Sequence, residues 1–354
     1  MLAKRQEKTS RALPVLVVDT GHALLYTYVH DLTKQEADMR IAVLDDYQGV
    51  ARSCADWSGL EAAHEVTFFS APLGGAADVI AALQGYDIVC LMRERTAFSS
   101  TVIDGLADLK LIVTTGARNA AIDVAAAAAR GVTVCGTRSP GHATGELTMG
   151  LMLALARRIA PENASLMAGG WQVGLGRDLR GAVLGVIGLG RLGSLVAGFA
   201  KAFGMEVIAW SENLTEDRCA EVGVRKATKQ ELLQSADFIT IHQRLSPRTH
   251  GLIGAAELAL MKPDACLINT SRGPIIDQAA LIAALDEGRI GGAALDVFDE
   301  EPLPADHPLK AARNLLLTPH LGYVTRETYK VFYGETVEAI EAFLAGAPVR
   351  EIAP

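Results

Sequence analysis

Residues 183–210, VLGVIGLGRLGSLVAGFAKAFGMEVIAW, restrict the fold of this chain more than any other stretch. Val183 through Ile187 make an apolar run of strand length. Gly188-Leu189-Gly190-Arg191-Leu192-Gly193 follows at once, then a helical pattern with Leu195, Val196, Phe199 and Phe203, then a second run from Glu206 to Trp210. A G-x-G-x-x-G inside such a βαβ unit is the context in which the motif binds a dinucleotide. Gly188 permits the tight turn, Gly190 lets backbone approach a pyrophosphate, and Gly193 lets helix and strand pack closely. The helix start offers N–H groups and a positive dipole end to the anion.

The rest of the chain extends the pattern in both directions. Upstream, short Val-, Ile- and Leu-rich runs at residues 40–44, 66–69, 87–92, 110–115 and 132–135 alternate with helical stretches at 76–83, 101–109 and 122–129. Such strands suit a parallel sheet covered on both faces. Ser139-Pro140-Gly141 breaks the series, and a helix over 144–158 crosses to the glycine-loop unit. Downstream, strands are expected at 206–210, near Val224, and at 237–242, 265–269, 292–297 and 315–317. A closing helix over 326–344 has no strands after it, so it is expected to return to the first domain. The fold class is therefore α/β, with two doubly wound parallel-sheet domains. A Rossmann dinucleotide-binding domain, residues 143–320, is inserted in a flavodoxin-like domain of residues 39–142 and 321–354.

Composition narrows the partners. The 354 residues suffice for two domains, and a net charge of −8 argues against a nucleic-acid surface. No apolar run reaches membrane-spanning length. Cys54, Cys90, Cys135, Cys219 and Cys266 lie far apart with no C-x-x-C, as in a reduced cytoplasmic protein, and no Cys/His spacing supports a metal. Lys4, Arg5, Lys8 and Arg11 precede a short apolar run, 12–18, that Asp19 cuts off. Residues 1–38 are therefore expected to be an extension, with Met39 opening the first strand.

Three stretches past the glycine loop carry reactive side chains: Asn269-Thr270-Ser271-Arg272-Gly273, Leu295-Asp296-Val297-Phe298-Asp299-Glu300-Glu301-Pro302 and Thr318-Pro319-His320-Leu321-Gly322. Each follows an expected strand, where open α/β sheets bind ligands. An Arg, a Glu and a His are what reduction of a 2-keto acid requires beside a nicotinamide. Arg can hold the carboxylate and polarise the adjacent carbonyl. His can deliver the proton, and a Glu beside it favours the charged imidazolium.

In this order, the motifs resemble the D-isomer-specific 2-hydroxyacid dehydrogenase family, from Met39 to the end of the chain. That family includes D-3-phosphoglycerate, glyoxylate/hydroxypyruvate and formate dehydrogenases. The resemblance implies that Arg272, Glu301 and His320 are catalytic, Glu301 being preferred to Glu300 because it directly precedes Pro302. It implies that Asp296 binds the nicotinamide carboxamide. Arg191, Leu192, Thr270 and Ser271 would contact the dinucleotide, largely through backbone. Thr115, Gly116, Ala117 and Arg118 fall on the loop that binds the substrate carboxylate through N–H groups. A homodimer is implied as well. A second reading, a nucleotide-sensing corepressor on the same fold, stays open, although no peptide-docking tail is evident.

Three positions depart from the family pattern. Ser211 stands where an acidic residue should meet the adenosine ribose, with Glu212 next to it. Arg244 replaces a commoner neutral residue on the facing loop. NAD is expected, and NADP stays open. Arg118 stands where glycine is common. With Arg93 and Arg95 it would favour a substrate bearing a second anion, unless Arg93-Glu94-Arg95 is a self-paired surface cluster.

Overall fold

Among residues 38–354, which the computed structural model describes, twelve strands build two parallel sheets. The expected extension lies outside the described residues, save for Asp38. The first sheet comprises β1 (Arg40–Val43), β2 (Glu65–Phe68), β3 (Ile88–Leu91), β4 (Leu111–Thr114) and β5 (Thr133–Gly136). Their order, β2-β1-β3-β4-β5, is the flavodoxin-like arrangement. The second sheet comprises β6 (Val183–Ile187), β7 (Glu206–Trp210), β8 (Arg225–Lys226), β9 (Phe238–Ile241), β10 (Cys266–Asn269), β11 (Gly292–Leu295) and β12 (Leu315–Leu317). The order β8-β7-β6-β9-β10-β11-β12 is the Rossmann order extended by one strand.

Side chains alternate between the two faces of each strand, and here both faces are dry. Ile41 and Val43 enter one core of the first sheet, while Ala42 and Leu44 enter the other. In β6, Leu184 and Val186 take one side of the second sheet and Ile187 the other. Parallel pairing forces crossovers, and helices fill them. Several start on side-chain caps: Asp123, Thr215, Thr228 and Asp277 each accept a backbone N–H three residues on.

The helix Ala143–Ala156 lies on the second sheet, with Met149, Leu151 and Met152 in its core. The last helix, Arg326–Leu344, returns to the first sheet and buries Tyr329, Phe332, Tyr333 and Ile340 under it. Beyond that helix the chain runs antiparallel along β5. Ile352 donates to the Val134 carbonyl at 2.8 Å, and Gly136 N–H donates to the Arg350 carbonyl at 2.9 Å. No helix among the described residues is long and apolar enough to cross a membrane.

Candidate active site

At the end of β6 the chain turns at Gly188, whose φ is 100°. A Cβ there would stand 2.5 Å from the His242 carbonyl oxygen. Gly193 lies where the helix Arg191–Ala202 presses on β6, and a Cβ would come within 2.0 Å of the Gly188 carbonyl oxygen. Gly190 caps that helix, and a Cβ there would meet nothing within 4 Å. The open space beside it belongs to a cavity of roughly 940 Å³ that runs past Ser211 and Glu212 to His242 and Arg244. Bare backbone, a helix N-terminus and a cavity of this size fit a dinucleotide. The Arg191 side chain turns away to the Ser139 and Pro140 carbonyls, at 3.4 and 3.2 Å. Thr270 Oγ1 meets Thr148 Oγ1 at 2.9 Å, and Ser271 Oγ donates to the Ile241 carbonyl at 2.6 Å. With those side chains engaged, Arg191 and Thr270 have backbone left to offer, as does half-buried Leu192, whereas the Ser271 N–H is taken by Asn269 Oδ1 at 3.0 Å.

At the far end of this cavity Ser211 is half-buried and Glu212 exposed. Arg218 and Arg248 line it too, and sequence reading did not single them out. Arg218 is committed to Ser194 Oγ and to Glu221, each at 2.8 Å. Arg244 and Arg248 are exposed. His242 closes the wall: Nε2 meets Thr240 Oγ1 at 3.0 Å, and burial pushes the ring down to about 4.

The loops after β11 and β12 bring Glu301 and His320 together. His320 Nδ1 lies 2.5 Å from Glu301 Oε2, and Glu301 Oε1 accepts the Phe298 N–H at 2.8 Å. Burial works to raise the Glu301 carboxyl, but the bond and charge of His320, the Phe298 N–H and the nearby Arg272 charge outweigh it. The carboxyl is held below its ordinary range. His320 has φ 54°, a left-handed conformation that needs support. Asp296 gives it: Oδ1 accepts from Thr318 Oγ1 at 2.6 Å and Leu321 N at 2.7 Å, and Oδ2 from Gly322 N at 2.8 Å. Asp296 is fully buried, with its carboxylate engaged by the loop that carries His320.

Arg272 extends from the loop after β10. Its Nη1 donates to the Ser271 carbonyl at 2.7 Å and its Nη2 to Glu94 Oε1 at 2.8 Å. Glu94 therefore does more than pair with its neighbours, and the self-paired cluster gives way to a bond reaching the second sheet's loops. Arg93 donates Nη1 to the Thr115 carbonyl at 3.2 Å, and its backbone N–H to Thr115 Oγ1 at 2.9 Å. The carboxylate loop also differs from expectation. The Thr115 N–H is spent on the Leu91 carbonyl at 3.0 Å and the Gly116 N–H on Thr137 Oγ1 at 2.8 Å, inside the fold. The N–H groups of exposed Ala117 and Arg118 have no backbone acceptor among the described residues. A second cavity, roughly 520 Å³, opens beside Glu301 and His320 and is walled by Tyr47, Pro72, Arg95 and Leu303. Tyr47 was invisible in the sequence because it follows β1, far from every motif.

Residues 149–322 match the family described as D-isomer specific 2-hydroxyacid dehydrogenase, NAD binding domain. The D-3-phosphoglycerate dehydrogenase of Methanocaldococcus jannaschii is 42% identical over 262 residues, covering 73% of this chain and 50% of that protein. The glyoxylate reductase of Aeropyrum pernix is 42% identical over 237 residues, covering 64% of this chain and 70% of that protein. The crystal structure of phosphoglycerate oxidoreductase from Vibrio cholerae o395 matches with a TM-score of 0.83 at 35% identity, covering 87% of this chain and 100% of that one. The chain spans about half the length of the phosphoglycerate dehydrogenases it resembles.

Proposed function

The chain belongs to the D-isomer specific 2-hydroxyacid dehydrogenase family, and on that premise we propose that it transfers a hydride between NAD(P)H and the 2-position of a D-2-hydroxy acid/2-keto acid pair. The His320–Glu301 contact beside Arg272, at the carboxyl ends of β10 to β12, carries this reading. Residues 143–320 then form the nucleotide domain, and 39–142 with 321–354 the substrate domain. A nicotinamide dinucleotide, held at Gly188, Gly190 and Gly193, supplies the hydride when bound.

This chain's residues do the rest. Arg272 donates N–H groups to the substrate carboxylate and draws electron density from the neighbouring carbonyl. The Ala117 and Arg118 N–H groups add to that grip. Glu301 holds Nδ1 of His320, which leaves Nε2 to hand a proton to the carbonyl oxygen, or to take it back in oxidation. The Glu301 carboxyl stays ionised beside the imidazolium. Asp296 fixes the loop that aims the ring.

The test is loss of NADH or NADPH absorbance with glyoxylate, pyruvate, hydroxypyruvate and longer 2-keto acids. His320→Ala should lower kcat by about 10²–10⁴-fold while dinucleotide fluorescence still reports binding. No turnover of any keto acid, or an undiminished His320→Ala variant, would sink the reading. Absent turnover with retained dinucleotide binding would favour the nucleotide-sensing alternative.

A further inference from the structure

We infer that Glu94 is a positioning residue: it aims Arg272 at the carboxylate that every 2-oxo acid shares, whatever the side chain. The inference rests on the dehydrogenase reading above and deepens it. Glu94 follows β3 in the first sheet, and Arg272 follows β10 in the second. Glu94 Oε1 accepts from Arg272 Nη2 at 2.8 Å and lies 3.5 Å from Arg93 Nη2. Arg93 has φ 55° and holds Thr115 twice, Nη1 to its carbonyl at 3.2 Å and backbone N–H to its Oγ1 at 2.9 Å. It also packs on Gly116, where a Cβ would stand 1.8 Å from its Nη1. One carboxylate therefore ties the reacting guanidinium of one lobe to the loop at 115–118 of the other.

The contact leaves Arg272 able to bind substrate. A guanidinium has five N–H donors. Glu94 takes one and the Ser271 carbonyl another, and no other acceptor among the described residues meets this side chain. Arg272 is also the more exposed member of the pair, at 36% against 22% for Glu94. Glu94 Oε2 is enclosed and has no hydrogen-bond partner. An enclosed carboxylate oxygen without a partner lowers stability, so fold stability does not account for a carboxylate here. Without it, two like charges would repel across the space it fills, and the long Arg272 side chain would regain its rotamers. Catalysis by a positioned charge is sensitive to such loss of aim.

The experiment compares Glu94→Ala, Glu94→Gln and the native protein. Glu94→Ala should lower kcat/KM at least about tenfold, and by the same factor for glyoxylate, pyruvate and 2-oxobutyrate. Oxamate should bind the variant with NADH more weakly by a similar factor, while NADH affinity stays unchanged. Glu94→Gln keeps an oxygen that can accept from Arg272, and it should lose less. In an Arg272→Lys background, adding Glu94→Ala should change kcat/KM by less than about twofold, because the group being aimed is gone. Undiminished activity in Glu94→Ala, a matching fall in NADH affinity, a loss that varies with the substrate's side chain, or an equal loss in the Arg272→Lys background would each overturn the inference. Failure of the native protein to reduce any 2-oxo acid would instead remove the dehydrogenase reading. The crystal structure of ligand-free Glu94→Ala would then decide the positioning, since an Arg272 guanidinium that keeps its native place would overturn it and a displaced one would support it.

Discussion

Ser211 occupies the position from which a Rossmann site usually excludes a 2′-phosphate, and it carries no charge to do so. Glu212 is exposed beside it, while Arg244 and Arg248 line the same end of the cavity. Weak discrimination is therefore expected, with NAD preferred and NADP used. Ser211→Asp should sharpen the preference for NAD at least tenfold, chiefly by weakening NADP. Measuring kcat/KM for both cofactors in both proteins checks it. A native preference for NAD beyond about 10³-fold, or about 4 kcal/mol, would mean that Glu212 already does the excluding. Arg272, Glu301 and His320, the proposed catalytic residues, could be picked out in the sequence because each follows an apolar strand run and the three come in one order. The Glu94–Arg272 bond was not, since its partners lie 178 positions apart and no periodicity links them. Asp296 was legible as a position, but its bonds to Thr318, Leu321 and Gly322 were not, because they depend on how the loop after β12 folds back over it.

At the scale of elements, strands buried on both faces announce themselves as apolar runs, and β12 and the last helix fall at the expected residues. So do β6 and β7, and the remaining strands differ from expectation by a residue or two, as strand ends commonly do. The short helices Ala51–Cys54 and Ser58–Ala63 left no signal, since one turn is too brief to establish a period. The strand-like segment along β5 was also missed, as its pairing is set by the return of the last helix. That helix starts on Thr325, whose side chain accepts the Thr328 N–H, and it inserts Phe332 fully into the core under the first sheet. Phe332→Ala should cost about 3–5 kcal/mol, measured by urea unfolding. A loss below about 1 kcal/mol would mean that the helix is not part of the first domain's cooperative core, and that the chain's return contributes little to it.

At the scale of the whole molecule, the two-sheet plan was legible because the glycine loop and the alternating runs name each sheet separately. The surface that the plan leaves uncovered was not. The helix Ile159–Met167 buries none of its residues, although packing is what ordinarily stabilises so short a helix. Ile159 and Leu166 are more than half exposed, and Met167 is 80% exposed. The segment after it folds back: Ser165 Oγ donates to the Trp171 carbonyl at 2.8 Å, and Glu162 accepts the Val173 N–H at 3.1 Å. Trp171, Val173 and Leu175 thereby join the same apolar surface, at 73%, 53% and 97% exposure. A contiguous patch of that kind marks an interaction site, and aromatic, Met-bearing surfaces with few charges suit the core of a subunit interface. A second copy of this chain can cover it by two-fold symmetry, with the same patch on both sides. Light scattering should give twice the mass of one chain. Replacing Leu166 and Trp171 together by glutamate should halve that mass, since each charge would be buried unpaired at the seam. The variant should keep its far-ultraviolet dichroism outside this helix, and both sheets should stay folded. A native protein that runs as a single chain at micromolar concentration, or a double variant that keeps the doubled mass, would place the association surface elsewhere and leave this helix without a partner.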